Sequence, residues 1–237
     1  MDFLKEIFYV PLLNLLVWLY NVLPWQDLGV AIIILTIIIK LALYPLNRKA
    51  IISQKALQDL QPKLEEIKTK YTGDREAQAR ATMEMYKNEK INPASSCLPI
   101  LVQLPFLIAV YQVFRAGLSN GSLEHLYPFI SNPGTMHTLA FGFFELSERS
   151  IILALLAGVA QFWQARMLST KRPSVKSAEA KDENITAIMN KQMVYVMPVF
   201  TVFIGLSFPA GLTLYWFVNT LLTGLQQLLV FKKQKQS

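Results

Sequence analysis

The sequence predicts an all-α, polytopic membrane protein. It should have five transmembrane helices, a cytoplasmic helical hairpin and an N-terminal interfacial helix. Three observations carry this prediction. Charged residues make up only 16% of the 237, against about 25% in soluble domains. From 192 to 231 there is no Asp, Glu, Lys or Arg at all, which a soluble fold rarely tolerates and a bilayer demands. The net charge of +7 sits in segments that alternate with the apolar ones. This composition argues against a soluble enzyme and against disorder.

The N-terminal region, 1–26, carries an uncharged stretch over 7–26. Asn14, Trp18, Asn21 and Trp25 recur at helical spacing, with Leu12, Leu13, Leu15, Leu16 and Leu19 opposite. An apolar face edged by polar and aromatic residues suits an extracytoplasmic helix lying in the interface, and this is preferred to a sixth span. No small-residue cleavage site follows Lys5 and Glu6, so no cleavable signal peptide is expected. The first span occupies 27–47, and its apolar run, 28–46, is broken only by Lys40.

Segment 48–96 reads as a cytoplasmic helical hairpin. Ile52, Ala56, Leu60, Leu64 and Ile67 repeat at helical spacing, Thr72-Gly73-Asp74 is a turn, and 75–90 forms a second helix. Its apolar stripe is too narrow for a globular core. Residues 97–231 hold spans two to five. The runs 97–114 and 150–165 supply two, and the long final run supplies two more, folded into a hairpin at Phe208-Pro209-Ala210-Gly211. A single helix over that run would be about 60 Å long, roughly twice the bilayer core. The external loop is 117–149, the cytoplasmic loop is 166–191, and 232–237 is a short basic tail.

Charge orders these spans. Between 47 and 96 there are ten Lys and Arg against seven acids, and between 166 and 191 six against three. The tail adds Lys232, Lys233 and Lys235. The positive-inside rule puts all three segments in the cytoplasm and the N-terminus outside. The net charge therefore records topology, and no nucleic-acid function is required.

Lys40 is the one charge inside a proposed span's apolar run before Arg166, and an intramembrane cation costs roughly 2.5–3.5 kcal/mol on insertion scales. It either snorkels to the inner interface or faces a wet cavity, and the second reading is preferred. No apolar run of a span contains Asp or Glu, which weakens a proton-pump or cation-transporter reading. Uncharged polar groups are plentiful instead: Thr36, Gln103, Gln112, Gln161, Gln164, Thr213, Asn219, Thr220, Thr223, Gln226 and Gln227. Some are interhelical glue; the rest can line a hydrated groove around Lys40. Enzyme chemistry and cofactors are not expected. His125 and His137 lack zinc-helix spacing. No glycine-rich phosphate loop is present, and no intramembrane Ser lies near Lys40 in sequence. The lone Cys97 reads as a packing residue.

Several blocks together resemble the bacterial YidC-type membrane protein insertases, whose core is shared in mitochondria and chloroplasts. They are Ile39-Lys40-Leu41-Ala42-Leu43-Tyr44-Pro45-Leu46, Leu60-Gln61-Pro62-Lys63, Met85-Tyr86-Lys87 with Asn92-Pro93, Cys97-Leu98-Pro99-Ile100-Leu101-Val102-Gln103-Leu104-Pro105, and Phe208-Pro209-Ala210-Gly211-Leu212-Thr213-Leu214-Tyr215-Trp216 with Gln226-Gln227. The resemblance implies five spans around a groove open to cytoplasm and lipid and closed outside. It implies a membrane protein insertase and chaperone whose groove receives the hydrophilic segments of its clients. It places Lys40 where the family usually carries an arginine, and a lysine keeps the charge but loses the bidentate fork. By the same likeness Gln164 and Trp216 line the groove, and Gln103, Tyr215 and Asn219 are further candidates. Nascent membrane proteins and membrane lipids are the implied partners, and the likeness admits a Sec-type translocon and the ribosome. The expected location is the bacterial plasma membrane. The large extracytoplasmic domain and the long basic tail of some relatives have no counterpart here. A small anion transporter or channel, with Lys40 as anion site, is the alternative; the missing inverted repeat counts against it.

Overall fold

A computed structural model of the chain describes residues 5–92, 98–115, 125–168 and 192–234. Cys97, the 169–191 part of the loop and the tail from Lys235 lie outside the described residues. Helices dominate, and each boundary has a local cause. After a π-helical turn over Lys5–Tyr9, α1 spans Val10–Val22 with Pro11 in its first turn, where a missing N–H costs nothing. Helix α2 spans Leu28–Ala42; the Asp27 carboxylate caps it by accepting from Val30 N at 3.0 Å.

The chain then bends. Leu43 leaves the helical region and Tyr44-Pro45 opens α3, Tyr44–Asp59; the helical stretch Tyr44–Lys70 runs at 71° to α2. The uninterrupted helix thus ends at Ala42, four residues short of the apolar run. Proline disfavours helical backbone in the residue before it and is tolerated in a first turn. Lys40 therefore occupies the last turn of α2, where a cation complements the helix dipole.

Helices α4, Gln61–Lys70, and α5, Arg75–Asn88, follow. Gly73 at φ +87° makes the turn between them, and Asp74 caps α5 by accepting from Glu76 and Ala77 N–H. Neither α4 nor α5 has a buried residue. An exposed Lys63–Glu89 pair joins the two, and such surface pairs contribute little. Helix α6 is Leu98–Arg115, with Pro105 inside. Residues 139–145 form a two-stranded antiparallel hairpin, β1 Leu139–Ala140 and β2 Phe144–Glu145, turning through Phe141 and Gly142 at positive φ. Helix α7 is Ile151–Leu168, α8 is Met197–Gly205, and α9 is Ala210–Gln234.

Among the described residues two helices are long and apolar enough to cross a membrane, Ile151–Leu168 and Ala210–Lys232; the bent pair starting with Leu28–Ala42 makes a third if it is one span. Gln103–Val113, within α6, and Val194–Gly205 are further apolar helical stretches. Helix α9 packs on α7 and α2, and α8 packs on α7. Small residues let these helices approach. A Cβ on Gly224 would lie 2.3 Å from the Trp163 ring, one on Gly158 2.3 Å from Val202, and one on Gly205 3.1 Å from Ala154. The outward faces of α7 and α8 stay apolar, with Ile151, Leu155, Val159, Val199 and Phe203 exposed.

Helix α1 is not a half-exposed helix with one polar face. Asn14 is buried along with Leu12, Leu13, Leu16, Leu19 and Tyr20, whereas Trp18 and Trp25 are exposed. The reason lies in 125–131, which covers the polar side. Asn14 accepts from Tyr127 N at 2.6 Å and donates to His125 O at 3.0 Å, and Asn21 donates to Ser131 O at 2.7 Å. The same segment is fixed elsewhere. His137 N donates to Tyr20 OH at 2.9 Å and Phe141 N donates to Asp27 Oδ2 at 2.6 Å. Ala210 N and Gly211 N donate to Glu148 O and Leu146 O at 2.6 and 2.9 Å. Residues 125–149 thus cap the starts of α2 and α9.

Candidate functional site

Helices α2 and α9 start under that cap and pack side by side. Lys40 and Thr223 each lie about 13 residues, roughly 20 Å, from their helix starts. They meet there: Lys40 Nζ donates to Thr223 Oγ1 at 2.7 Å. Thr223 Oγ1 in turn donates to the carbonyl of Asn219 at 2.7 Å. One turn further along, Gln226 Nε2 approaches the carbonyl of Tyr44 at 3.4 Å. Helix α9 therefore holds the α2–α3 bend on both sides.

Tyr215, Asn219, Thr223 and Gln226-Gln227 recur at helical spacing and form a polar stripe down α9. At its upper end Gln103 of α6 donates to the Tyr215 hydroxyl. Tyr215 is buried, and Asn219 and Thr223 are half-buried. Gln227 is buried, and its Oε1 has no hydrogen-bond partner among the described residues. No carboxylate pairs with Lys40 among the described residues; the ion pairs there are Lys55–Asp59, Lys63–Glu89 and Arg80–Glu76. No cluster of metal-ligating side chains occurs among them either.

The arrangement unites some expected residues and separates others. Lys40 and Asn219 belong to one hydrogen-bonded chain through Thr223, and Gln103 pairs with Tyr215. Gln164 and Trp216 are half-buried and belong to neither group of bonds. Thr36 and Thr213 donate to backbone carbonyls, Ile32 O at 2.7 Å and Gly205 O at 3.2 Å, and neither meets Lys40. Thr223 was only one of several polar residues in the last apolar run. The signal that finds it is the four-residue spacing from Asn219 and from Tyr215 to Asn219. Leu12, Leu16, Ile32, Leu35, Val110, Val113 and Tyr215 line a small apolar cavity.

Comparisons with known proteins show the family. The family model described as 60Kd inner membrane protein matches residues 18–237. A protein of Fusobacterium nucleatum subsp. nucleatum, named membrane protein insertase YidC, is 35% identical over 207 residues, which is 87% of this chain and 87% of the relative. Proteins of the same name from Geotalea daltonii and Geobacter sulfurreducens are 36% and 35% identical over 94% and 92% of this chain, but over only 37% and 36% of their own lengths. The chain thus spans most of one relative and little over a third of the other two. The chain belongs to the 60Kd inner membrane protein family, that of the YidC-type membrane protein insertases.

Proposed function

We propose that the chain is a membrane protein insertase and chaperone that receives the hydrophilic segments of client proteins beside Lys40. The observation that carries this reading is the Lys40 ammonium, half-buried on the polar stripe of α9 with no acidic partner among the described residues. A desolvated cation with unused donors attracts a carboxylate or carbonyl. Gln103, Gln164, Tyr215, Trp216 and Asn219 line the groove, and Lys40 takes the place of the family's usual arginine. Polar side chains there lower the cost of bringing a client's flank into the membrane. The client's apolar segment then leaves along the exposed apolar faces of the helices into lipid. The driving force is burial of that segment in hydrocarbon, and the membrane potential acts on the charged flank. No bond is made or broken.

The charge distribution supports a topology with the N-terminus outside and the C-terminus in the cytoplasm, and with 48–96 as a cytoplasmic hairpin. Five spans with these loops satisfy it: 28–46, 97–114, 150–165, 192–208 and 211–231. The cap of 125–149 then closes the outer end, and clients enter from the cytoplasmic side. The basic hairpin and the 166–191 loop are the surfaces offered to a ribosome or a translocon.

The test is reconstitution of the full chain in liposomes with a short single-span client carrying an acidic flank. Protease protection scores insertion, and anion flux is followed in the same vesicles. Insertion that depends on the protein, without flux, is expected. Lys40→Glu should impair clients with acidic flanks far more than neutral ones. Flux without insertion would overturn the reading, and equal insertion of both clients by the variant would remove its electrostatic part.

A further inference from the structure

We infer that Thr223 is the positioning residue for the Lys40 ammonium, and that it selects for acidic client flanks by holding that charge on α9. The inference rests on the insertase reading above. A lysine stem is flexible, and an ammonium at the end of α2 that is only two residues from the bend can swing outward to water. The 2.7 Å bond to Thr223 Oγ1 opposes this. The direction of the hydroxyl matters. Its proton is committed to Asn219 O at 2.7 Å, so the oxygen presents lone pairs to Lys40 and acts as a pure acceptor.

Thr223 is a neutral acceptor, which sets its use. A carboxylate in its place would neutralise Lys40 and compete with an acidic client. A hydroxyl takes one N–H and leaves the charge intact. An ammonium has three donors, and among the described residues Thr223 is the one acceptor it meets. The other two remain for a carboxylate from the client. Thr223 is itself fixed: Gly224 beside it accepts the Trp163 ring at a distance that excludes any Cβ, so α9 cannot rotate or slide there without a clash. The acceptor is thus carried on a rigid helix while the charge it holds is carried on a flexible stem.

The experiment uses the reconstituted full chain and two clients with the same apolar segment, one with Asp and one with Asn in its flank. The readout is the ratio of acidic to neutral insertion. Thr223→Val, which keeps the shape and removes the hydroxyl, should lower the ratio about threefold, and Thr223→Ser should retain it. Lys40→Gln should lower the ratio at least as much, and adding Thr223→Val to it should change nothing further. A wild-type ratio for Thr223→Val, alongside a lowered ratio for Lys40→Gln, overturns the inference and leaves the insertase reading standing. If Lys40→Gln leaves the ratio unchanged, it is the electrostatic reading of the groove that fails. A second measurement then decides Thr223 by itself. The acylation rate of Lys40, followed by peptide mass spectrometry, should rise about threefold in Thr223→Val and not in Thr223→Ser. Equal rates in wild type and both variants overturn the inference.

Discussion

At the capped end of the molecule, the long-range polar groups are paired; at the Lys40 end, among the described residues, two keep unused capacity. Asn14 alone makes three hydrogen bonds, to Val10 O, His125 O and Tyr127 N, and Tyr20, Asn21 and Asp27 each hold a backbone group of 125–149. Around them Leu13, Val17, Leu28, Ala31, Ala140 and Leu146 are buried. Twenty ångströms or so down the same helices, among the described residues, Lys40 keeps two donors unmatched and Gln227 Oε1 is buried without a partner. Satisfied networks rigidify, and unsatisfied ones cost stability unless a ligand completes them. One end of the bundle is built to stay closed, and the other keeps polar capacity in reserve for a client.

The largest effect is expected where the closed end is cut. Asn14→Ala leaves the Tyr127 N–H and the His125 carbonyl without their partner in a part-buried place, which costs about 2–3 kcal/mol. Thermal unfolding in detergent should show this, together with faster proteolysis within 125–149. A loss under about 1 kcal/mol would mean that Asn14 does not hold the cap. Gly29→Ala tests the same end by crowding. The added Cβ would lie 2.6 Å from Ala140 Cβ and 3.1 Å from both Asp27 Oδ1 and the Phe141 ring. A loss of about 1–3 kcal/mol is expected. No loss would show that the β-hairpin is free to lift from α2, and the contrast between the ends would weaken.

The sequence made the two ends legible to different degrees. Charge-free length located Ile151–Leu168 and the turn before Ala210, because spanning helices must be long and apolar. Lys40 stood out because a lone cation in an apolar run is costly. The partners of Asn14 did not, because they lie more than 100 residues away in a segment with no periodicity. Its place in an amphipathic pattern pointed to headgroups instead of to the chain's own backbone. The early end of α2 was also hidden. Leu41, Leu43 and Leu46 continue the hydropathy across the bend, and only Pro45 marks it. Thr223 was visible as a polar residue, but a run with six of them gives no sign of which one meets Lys40; that depends on how far α2 and α9 start from the cap.

The open end predicts a trade. Replacing Gln227 by Leu removes a buried oxygen that has no partner among the described residues and keeps most of the volume. Stability should stay the same or rise by about 1 kcal/mol, while the rate of client insertion falls. Unfolding in detergent and liposome insertion, measured on the same preparation, separate the two. A clear loss of stability would mean that Gln227 is structural glue and that the reserve of polar capacity lies elsewhere on α9.

The smallest effect concerns pH at the capped end. Hydrogen bonds from Ser147 and Thr138 hold the Glu145 carboxyl below the ordinary carboxylate range. A group with a depressed pKa in the folded state contributes stability above its unfolded value, near 4.3. That contribution is lost as pH falls through the folded value. The cap should therefore loosen slightly in acid, below about pH 4, and Glu145→Gln should flatten that limb without altering stability at neutral pH by more than a few tenths of a kcal/mol. Hydrogen exchange of the Ser147 amide, which donates to Glu145 at 3.2 Å, reads this directly. Protection of that amide that falls in acid for the wild type and stays level in the variant assigns the effect to Glu145. The same fall in both would assign it to another group, and would place the acid sensitivity of the cap outside the β-hairpin that covers the start of α2.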